Sequence, residues 1–287
     1  MKSYPFARPV KSLFDDSSHH LWLLEGKSGE KSFLKFASHA SAEQSLFWQR
    51  MQLFFGVSFP DSVRNYQRLY PLVERLCGLK VPKVLDCGAE APVGGWVLCQ
   101  YLPGRVCGSE TEIPSGRMLN TMISSIENLY LNDQAFHATA IGDLLQPEIS
   151  VEGWISFLIK RLESSLQSES ERQVWSKVRR RMAGVAAEPG RLVPIMIDWR
   201  WDQFLVCAEE VTLVDLDAWV WAPEELAWVL FELVWSESEL DVLKSVCGDR
   251  VPVIGPWRDL YRLMLYQMEI LGKVDLLEWM SRSTYFE

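Results

Sequence analysis

Histidine, closely paired cysteine and clustered positive charge are all scarce in this chain, and each scarcity removes a class of function. Its 287 residues contain 4 histidines, and none stands at a spacing that makes a metal site or a catalytic triad. The 6 cysteines, at positions 77, 87, 99, 107, 207 and 247, lack the close-paired spacing that zinc sites use. Several lie in apolar runs, so reduced core thiols account for them. A formal net charge of −9 argues against a general nucleic-acid binder, because counterion release requires clustered Lys and Arg. The one basic run, Lys177-Val178-Arg179-Arg180-Arg181, reads as the solvated face of a helix, with contact to a partner or an anionic ligand as the alternative. The apolar stretch around Leu226 to Trp235 is broken by Glu232 and too short to cross a bilayer. Met1 to Val10 shows no basic start leading into an apolar segment, so a cytoplasmic protein without a membrane span is expected. Internal repeats, low-complexity tracts and long linkers are absent from the sequence.

What is present is a chain with 48% hydrophobic residues, enough for one bilobal unit or two ordinary domains. Its most informative residues are Asp198 and Asp215, each on a polar turn beside a strand-like run. Gln203 lies between them, just before Phe204-Leu205-Val206, and Val211 to Val214 has strong β character. This spacing predicts a short hairpin across which Gln203 and Asp215 face each other, with Asp198 at its mouth. Two carboxylates and an amide oxygen would then converge. Mg²⁺ favours such oxygen donors and leaves positions for phosphate, so the set suits a metal bound together with a polyphosphate.

Upstream, Leu21 to Glu25, a turn at Gly26 to Gly29, and Lys31 to Phe36 read as a β-hairpin with Lys35 in its second strand. A helix is expected from Ser41 to Phe55, with Glu43 near its start. Strands are expected at Lys83–Cys87 and Gly95–Tyr101, the second running into Leu102-Pro103-Gly104-Arg105. Helical patterns follow at 118–131, 151–167, 170–187, 223–236 and 256–271. The expected class is therefore α+β, with a β-rich N-terminal lobe at 1–101 and a helical C-terminal lobe at 102–287 that carries the hairpin.

The order of Lys35, Asp198, Gln203 and Asp215 resembles the aminoglycoside phosphotransferase and choline kinase branch of the protein-kinase-like superfamily. The resemblance implies a bilobal kinase-like fold and an ATP-dependent phosphotransferase that acts on a hydroxyl of a small molecule. It implies Asp198 as the catalytic base, Gln203 and Asp215 as Mg²⁺ ligands, and Lys35 as the cation on the nucleotide phosphates, with Glu43 as its ion-pair partner. The linker holding Cys99 and Tyr101 would meet the nucleotide base, and main-chain N–H groups at Ser17 and Ser18 would cradle phosphate. Asp217, Trp199, Arg200 and Trp201 are candidates for the acceptor side, although tryptophans in strand-like runs more often pack in a core.

The chain departs from the family pattern in three places. Met196-Ile197 replaces the usual His-Gly before the base, Gln203 replaces Asn, and Leu13 to His20 contains no glycine but has Asp15 and Asp16. The first and third departures favour an alternative reading, a catalytically silent kinase-like module that binds a nucleotide or a protein. A metal-dependent hydrolase is a third. Glu224, Glu225, Glu232 and Glu237 either face an amine-bearing acceptor or are solvated surface. The acceptor's identity and the oligomeric state are not encoded in a legible way.

Overall fold

The computed structural model describes residues 5–10, 19–107, 116–131, 138–185, 189–207 and 210–286. In chain order the strands are β1 (Phe6–Val10), β2 (His19–Glu25), β3 (Lys31–Ser38), β4 (Val84–Glu90), β5 (Gly94–Gln100), β6 (Arg105–Val106), β7 (Ala140–Asp143), β8 (Pro147–Ser150), β9 (Leu192–Met196), β10 (Phe204–Cys207), β11 (Glu210–Leu213) and β12 (Trp219–Pro223). The helices are α1 (His39–Gln44), α2 (Leu46–Phe55), α3 (Tyr66–Cys77), α4 (Gly116–Ile126), α5 (Trp154–Ser165), α6 (Glu169–Met182), α7 (Glu224–Val234), α8 (Glu237–Cys247), α9 (Arg258–Gln267) and α10 (Leu276–Met280). They divide into two compact units. The first lies within Met1–Gln52, Val57–Met118 and Trp201–Leu216, and the second within Leu53–Gly56, Leu119–Arg200 and Asp217–Glu287.

The first unit is built on a five-stranded antiparallel sheet in the order β1-β2-β3-β5-β4. Its β2–β3 hairpin closes where Gly26 N–H donates to the Glu30 carbonyl at 2.8 Å, and Gly29 takes the left-handed conformation at φ 79°. Successive side chains on β3 alternate faces. Leu34 and Phe36 therefore share one face, where with Ala7, Trp22, Leu24 and Trp96 they line an open apolar groove, and Lys35 points to the other. The single helix expected over 41–55 is instead α1 and α2, because Ser45 between them is extended, at φ −77° and ψ 116°. Its hydroxyl accepts the Trp48 N–H and so starts the second helix. A smaller three-stranded sheet, β11-β10-β6, belongs to the same unit.

The second unit is rich in helix, in keeping with its sequence pattern. It contains a four-stranded antiparallel sheet in the order β8-β7-β12-β9, besides α4 to α10. Its core is α7, from which Leu226, Ala227, Trp228, Val229, Leu230, Phe231 and Leu233 are all buried. One charge is buried among them. Glu232 accepts Arg258 Nε at 3.0 Å, Arg262 Nη2 at 3.1 Å, and the main-chain N–H groups of Tyr285 and Phe286 at 2.8 and 2.9 Å. A buried carboxylate is tolerated only when paired and hydrogen-bonded in this way, and here the arrangement ties the C-terminal segment to α7. The basic run 177–181 lies on α6, whose start is fixed by a capping box between Ser168 and Glu171. Arg179 pairs with Glu163 and Arg181 with Asp259, so part of this run serves helix packing.

Candidate nucleotide and metal site

Lys35 is held at the middle of the five-stranded sheet, with Leu21 opposite it on β2 and Val97 opposite it on β5. Strands on both sides fix its backbone, and the alternation of β3 directs its side chain away from the apolar groove. The Lys35 side chain is 12% exposed and its ammonium lies 2.6 Å from Asp215 Oδ1, with the Asp215 side chain 28% exposed. Two residues separated by 180 positions thus form one charge-assisted hydrogen bond.

Asp215 reaches this point because the hairpin that precedes it is tied into the same unit. Phe204 pairs with Leu213 in the β10–β11 register, and the Val214 N–H donates to the Gln203 carbonyl at 2.9 Å. Gln203 is therefore opposite Val214, one residue from Asp215, and its side chain is buried. β10 also pairs with β6, Leu205 facing Val106 and Val206 facing Arg105. On the other edge the Leu213 N–H donates to the Lys80 carbonyl at 2.9 Å, and Lys80 Nζ lies 2.5 Å from Glu210 Oε1. The linker between β5 and β6 runs close by: a Cβ at Gly104 would stand 3.1 Å from the Val206 carbonyl oxygen, which is why a glycine fits there. Gln203 and Asp215 offer an amide oxygen and a carboxylate, hard donors of the type Mg²⁺ takes. The lysine beside Asp215 already offsets the charge that a divalent ion would meet.

Asp198 belongs to the second unit, on the turn that follows β9. Met196, standing where the family pattern has histidine, is buried in β9 and pairs with Trp219 on β12. The Ile197 N–H then donates to the Ala218 carbonyl at 3.1 Å. Ala218 is one of two non-glycine residues with positive φ, at 61°, among the described residues. Arg200 grips the Asp198 carboxylate, Nε at 2.7 Å from Oδ1 and Nη2 donating to Oδ2 at 3.0 Å.

Other sequence-predicted residues are placed as follows. The expected Lys35–Glu43 pair does not form: Glu43 is exposed on α1, and the hydrogen bond found there runs from Gln49 Nε2 to its main-chain carbonyl. The resemblance, with an acidic residue on the helix after the lysine strand, suggested that pairing, but the break at Ser45 leaves Glu43 exposed on a short helix. Cys99 is buried within β5, with Phe33 and Val84 as ladder neighbours, so its backbone serves the sheet. Beyond β5 the Tyr101 N–H still donates to the Lys31 carbonyl at 3.5 Å, and its ring lies under Lys31 Nζ at 5.9 Å. Ser17 and Ser18 lie outside the described residues.

Trp199 is 2% exposed and packs edge-on against Phe231, which removes it from any acceptor surface. Trp219 and Trp221 are buried as well, whereas Trp201 is half-buried against Phe204. Asp217 is buried. Three of the four glutamates considered for an acidic pocket are committed to structure. Glu224 accepts Arg191 Nε at 2.7 Å, Glu225 accepts the Gly190 N–H at 2.6 Å, and Glu232 forms the cluster described above. Burial pushes the Glu225 carboxyl above the ordinary range, the Gly190 hydrogen bond opposing. Glu237 alone of the four is exposed. Sequence reasoning missed Asp215 as the partner of Lys35 and Asp198 as the partner of Arg200.

No protein-family model matches the chain, and neither does any curated protein. Solved structures do. A thermostable mutant of aminoglycoside phosphotransferase APH(4)-Ia, in ternary complex with AMP-PNP and hygromycin B, superposes with a TM-score of 0.61 at 9% identity, covering 93% of this chain and 85% of that one. A Haemophilus somnus protein named as a fructosamine-3-kinase gives 0.60 at 10% identity over 98% and 89% of the two chains. The GDP complex of wild-type aminoglycoside 2'-phosphotransferase-IIIa gives 0.57 at 14% identity over 94% and 85%. The chain thus has the protein-kinase-like fold in the form seen in aminoglycoside phosphotransferases.

Proposed function

We propose that this protein is a small-molecule kinase that transfers the γ-phosphoryl group of ATP to a hydroxyl of its acceptor. The observation that carries the reading is the 2.6 Å contact between Lys35 and Asp215, in a fold shared with proteins crystallised with AMP-PNP and GDP. Lys35 would bind the nucleotide phosphates, and Gln203 with Asp215 would hold Mg²⁺, which when bound offsets charge on the phosphates. The linker that follows β5, from Tyr101 to Gly104, would meet the nucleotide base. Asp198 orients the acceptor hydroxyl and receives its proton as the acceptor oxygen bonds to phosphorus, while the bond from the γ-phosphorus to the bridging oxygen breaks and ADP leaves. Positioning supplies most of the acceleration.

The test is turnover of Mg·ATP against a panel of hydroxylated acceptors that begins with hygromycin B, kanamycin and a fructosyl amine. Asp198→Ala should abolish transfer and keep nucleotide binding, whereas Asp215→Ala should remove metal-dependent nucleotide affinity. Unchanged turnover in both variants would contradict the reading. A silent nucleotide- or protein-binding regulator is the second reading, favoured by the glycine-free segment 13–20 and by Met196 in the histidine's place. Binding of Mg·ATP with no transfer to any acceptor would select it.

A further inference from the structure

We infer that Arg200 is a positioning residue for Asp198, fixing its carboxylate from within the turn and supplying the brace that Met196 does not. The inference rests on Asp198 acting as the group that faces the acceptor. The geometry begins with Trp199. Its indole is buried against Phe231, ring centroids 5.7 Å apart and planes at 84°. Trp199 is thereby held in the core, and Asp198, on the turn after β9, meets Arg200 beside it. There Nε lies 2.7 Å from one carboxylate oxygen and Nη2 lies 3.0 Å from the other. One guanidinium thus donates a hydrogen bond from Nη2 to Oδ2 and holds Nε in ion-pair contact with Oδ1, which sets the rotation of the carboxylate.

The backbone ahead of the pair is equally constrained. Met196 is paired with Trp219, and the Ile197 N–H is bound to the Ala218 carbonyl at 3.1 Å. Strand pairing thus fixes where Asp198 starts, and Arg200 fixes where it ends. Arg200 thus becomes a determinant of geometry at the base instead of the substrate contact its sequence position suggested.

The experiment compares Arg200→Gln, Arg200→Lys, Asp198→Asn and the double variant Arg200→Gln/Asp198→Asn in the full chain, with Mg·ATP and the best acceptor found. A carboxylate displaced by about 1 Å costs on the order of 100-fold in rate. Arg200→Gln should lower kcat by that order and leave KM for ATP within about twofold, while Arg200→Lys, which keeps one charged donor, recovers part of the loss. In the Asp198→Asn background, Arg200→Gln should remove nothing further. Wild-type kcat in Arg200→Gln, an additional loss in the double variant, or a rise in KM for ATP at constant kcat would each overturn the inference. Absence of wild-type turnover with every acceptor would sink the kinase reading instead. The pair would then be judged by thermal unfolding, where Tm shifts of the two single variants should exceed additivity by about 1–2 °C. Additive shifts would overturn it.

Discussion

Two carboxylates in this protein meet cations at nearly the same distance and have opposite surroundings. In the second unit Glu232 is fully buried, with Arg262 at 1% and Arg258 at 12% side-chain exposure, and two main-chain N–H groups complete its coordination. In the first unit Asp215 meets Lys35 with 28% and 12% of their side chains exposed. The first arrangement cannot open without leaving a charge in the core, so it is fixed and holds the C-terminal segment. The second keeps contact with solvent. Under the proposed function, an anion and a divalent ion would replace each partner in turn. Burial, not distance, separates the structural pair from the exchangeable one.

The comparison breaks most visibly at Glu232. Glu232→Ala leaves two guanidinium groups and two N–H donors without their acceptor, and a loss of about 3–5 kcal/mol is expected from chemical denaturation. A loss below about 1 kcal/mol would show that the cluster is not a clamp. Glu225 sharpens the contrast, being a carboxylate buried without any cation pair found among the described residues. Burial raises its folded-state value above the unfolded one, so the folded protein binds the proton more tightly. Its contribution is then fully present at acid pH and declines as pH rises through the carboxylate range toward the raised value. Glu225→Gln cannot ionise, so its stability relative to wild type should climb over that window and then level off. Denaturation series across pH 4–8 would show a flat difference if the account is wrong.

Lys35→Met should change stability by no more than about 1 kcal/mol, because a partly exposed pair contributes little, yet it should lose the stabilisation by Mg·ATP. Equal losses at Lys35 and Glu232 would erase the distinction. The smallest effect concerns thiols. Burial pushes Cys77, Cys107 and Cys247 up to about 11, whereas Cys207 is exposed at the end of β10. A thiol-exchange reagent at pH 8 should label Cys207 well ahead of those three, with little change in Tm.

Local signals carried much of the fold. The Gly26–Gly29 turn between alternating runs and the β10–β11 hairpin were legible because their partners are close in sequence. The helical pattern at 170–187 likewise located α6, whose start the structure sets earlier, at the capping box of Ser168 and Glu171. The four-stranded sheet of the second unit was not legible: β7 and β8 are 4 residues each, too short for periodicity, and β7 pairs with β12 some eighty positions away. α3, α8 and α10 fell between the recognised patterns. At the candidate site, Lys35, Gln203 and Asp215 could each be picked out by residue type and order. The Lys35–Asp215 contact could not, because the Lys80–Leu213 and β6–β10 pairings that bring Asp215 round are tertiary.

The most direct test of the account is the thermal unfolding of wild type and Asp215→Asn with Mg·AMP-PNP, Mg²⁺ alone and neither. At about 100 times the dissociation constant, the metal nucleotide should add about 2.7 kcal/mol to wild type. It should add almost nothing to Asp215→Asn, whose ligand-free stability should remain within about 1 kcal/mol of the parent. An equal nucleotide shift in both proteins, or none in wild type, would contradict the assignment of Lys35 and Asp215 to nucleotide and metal.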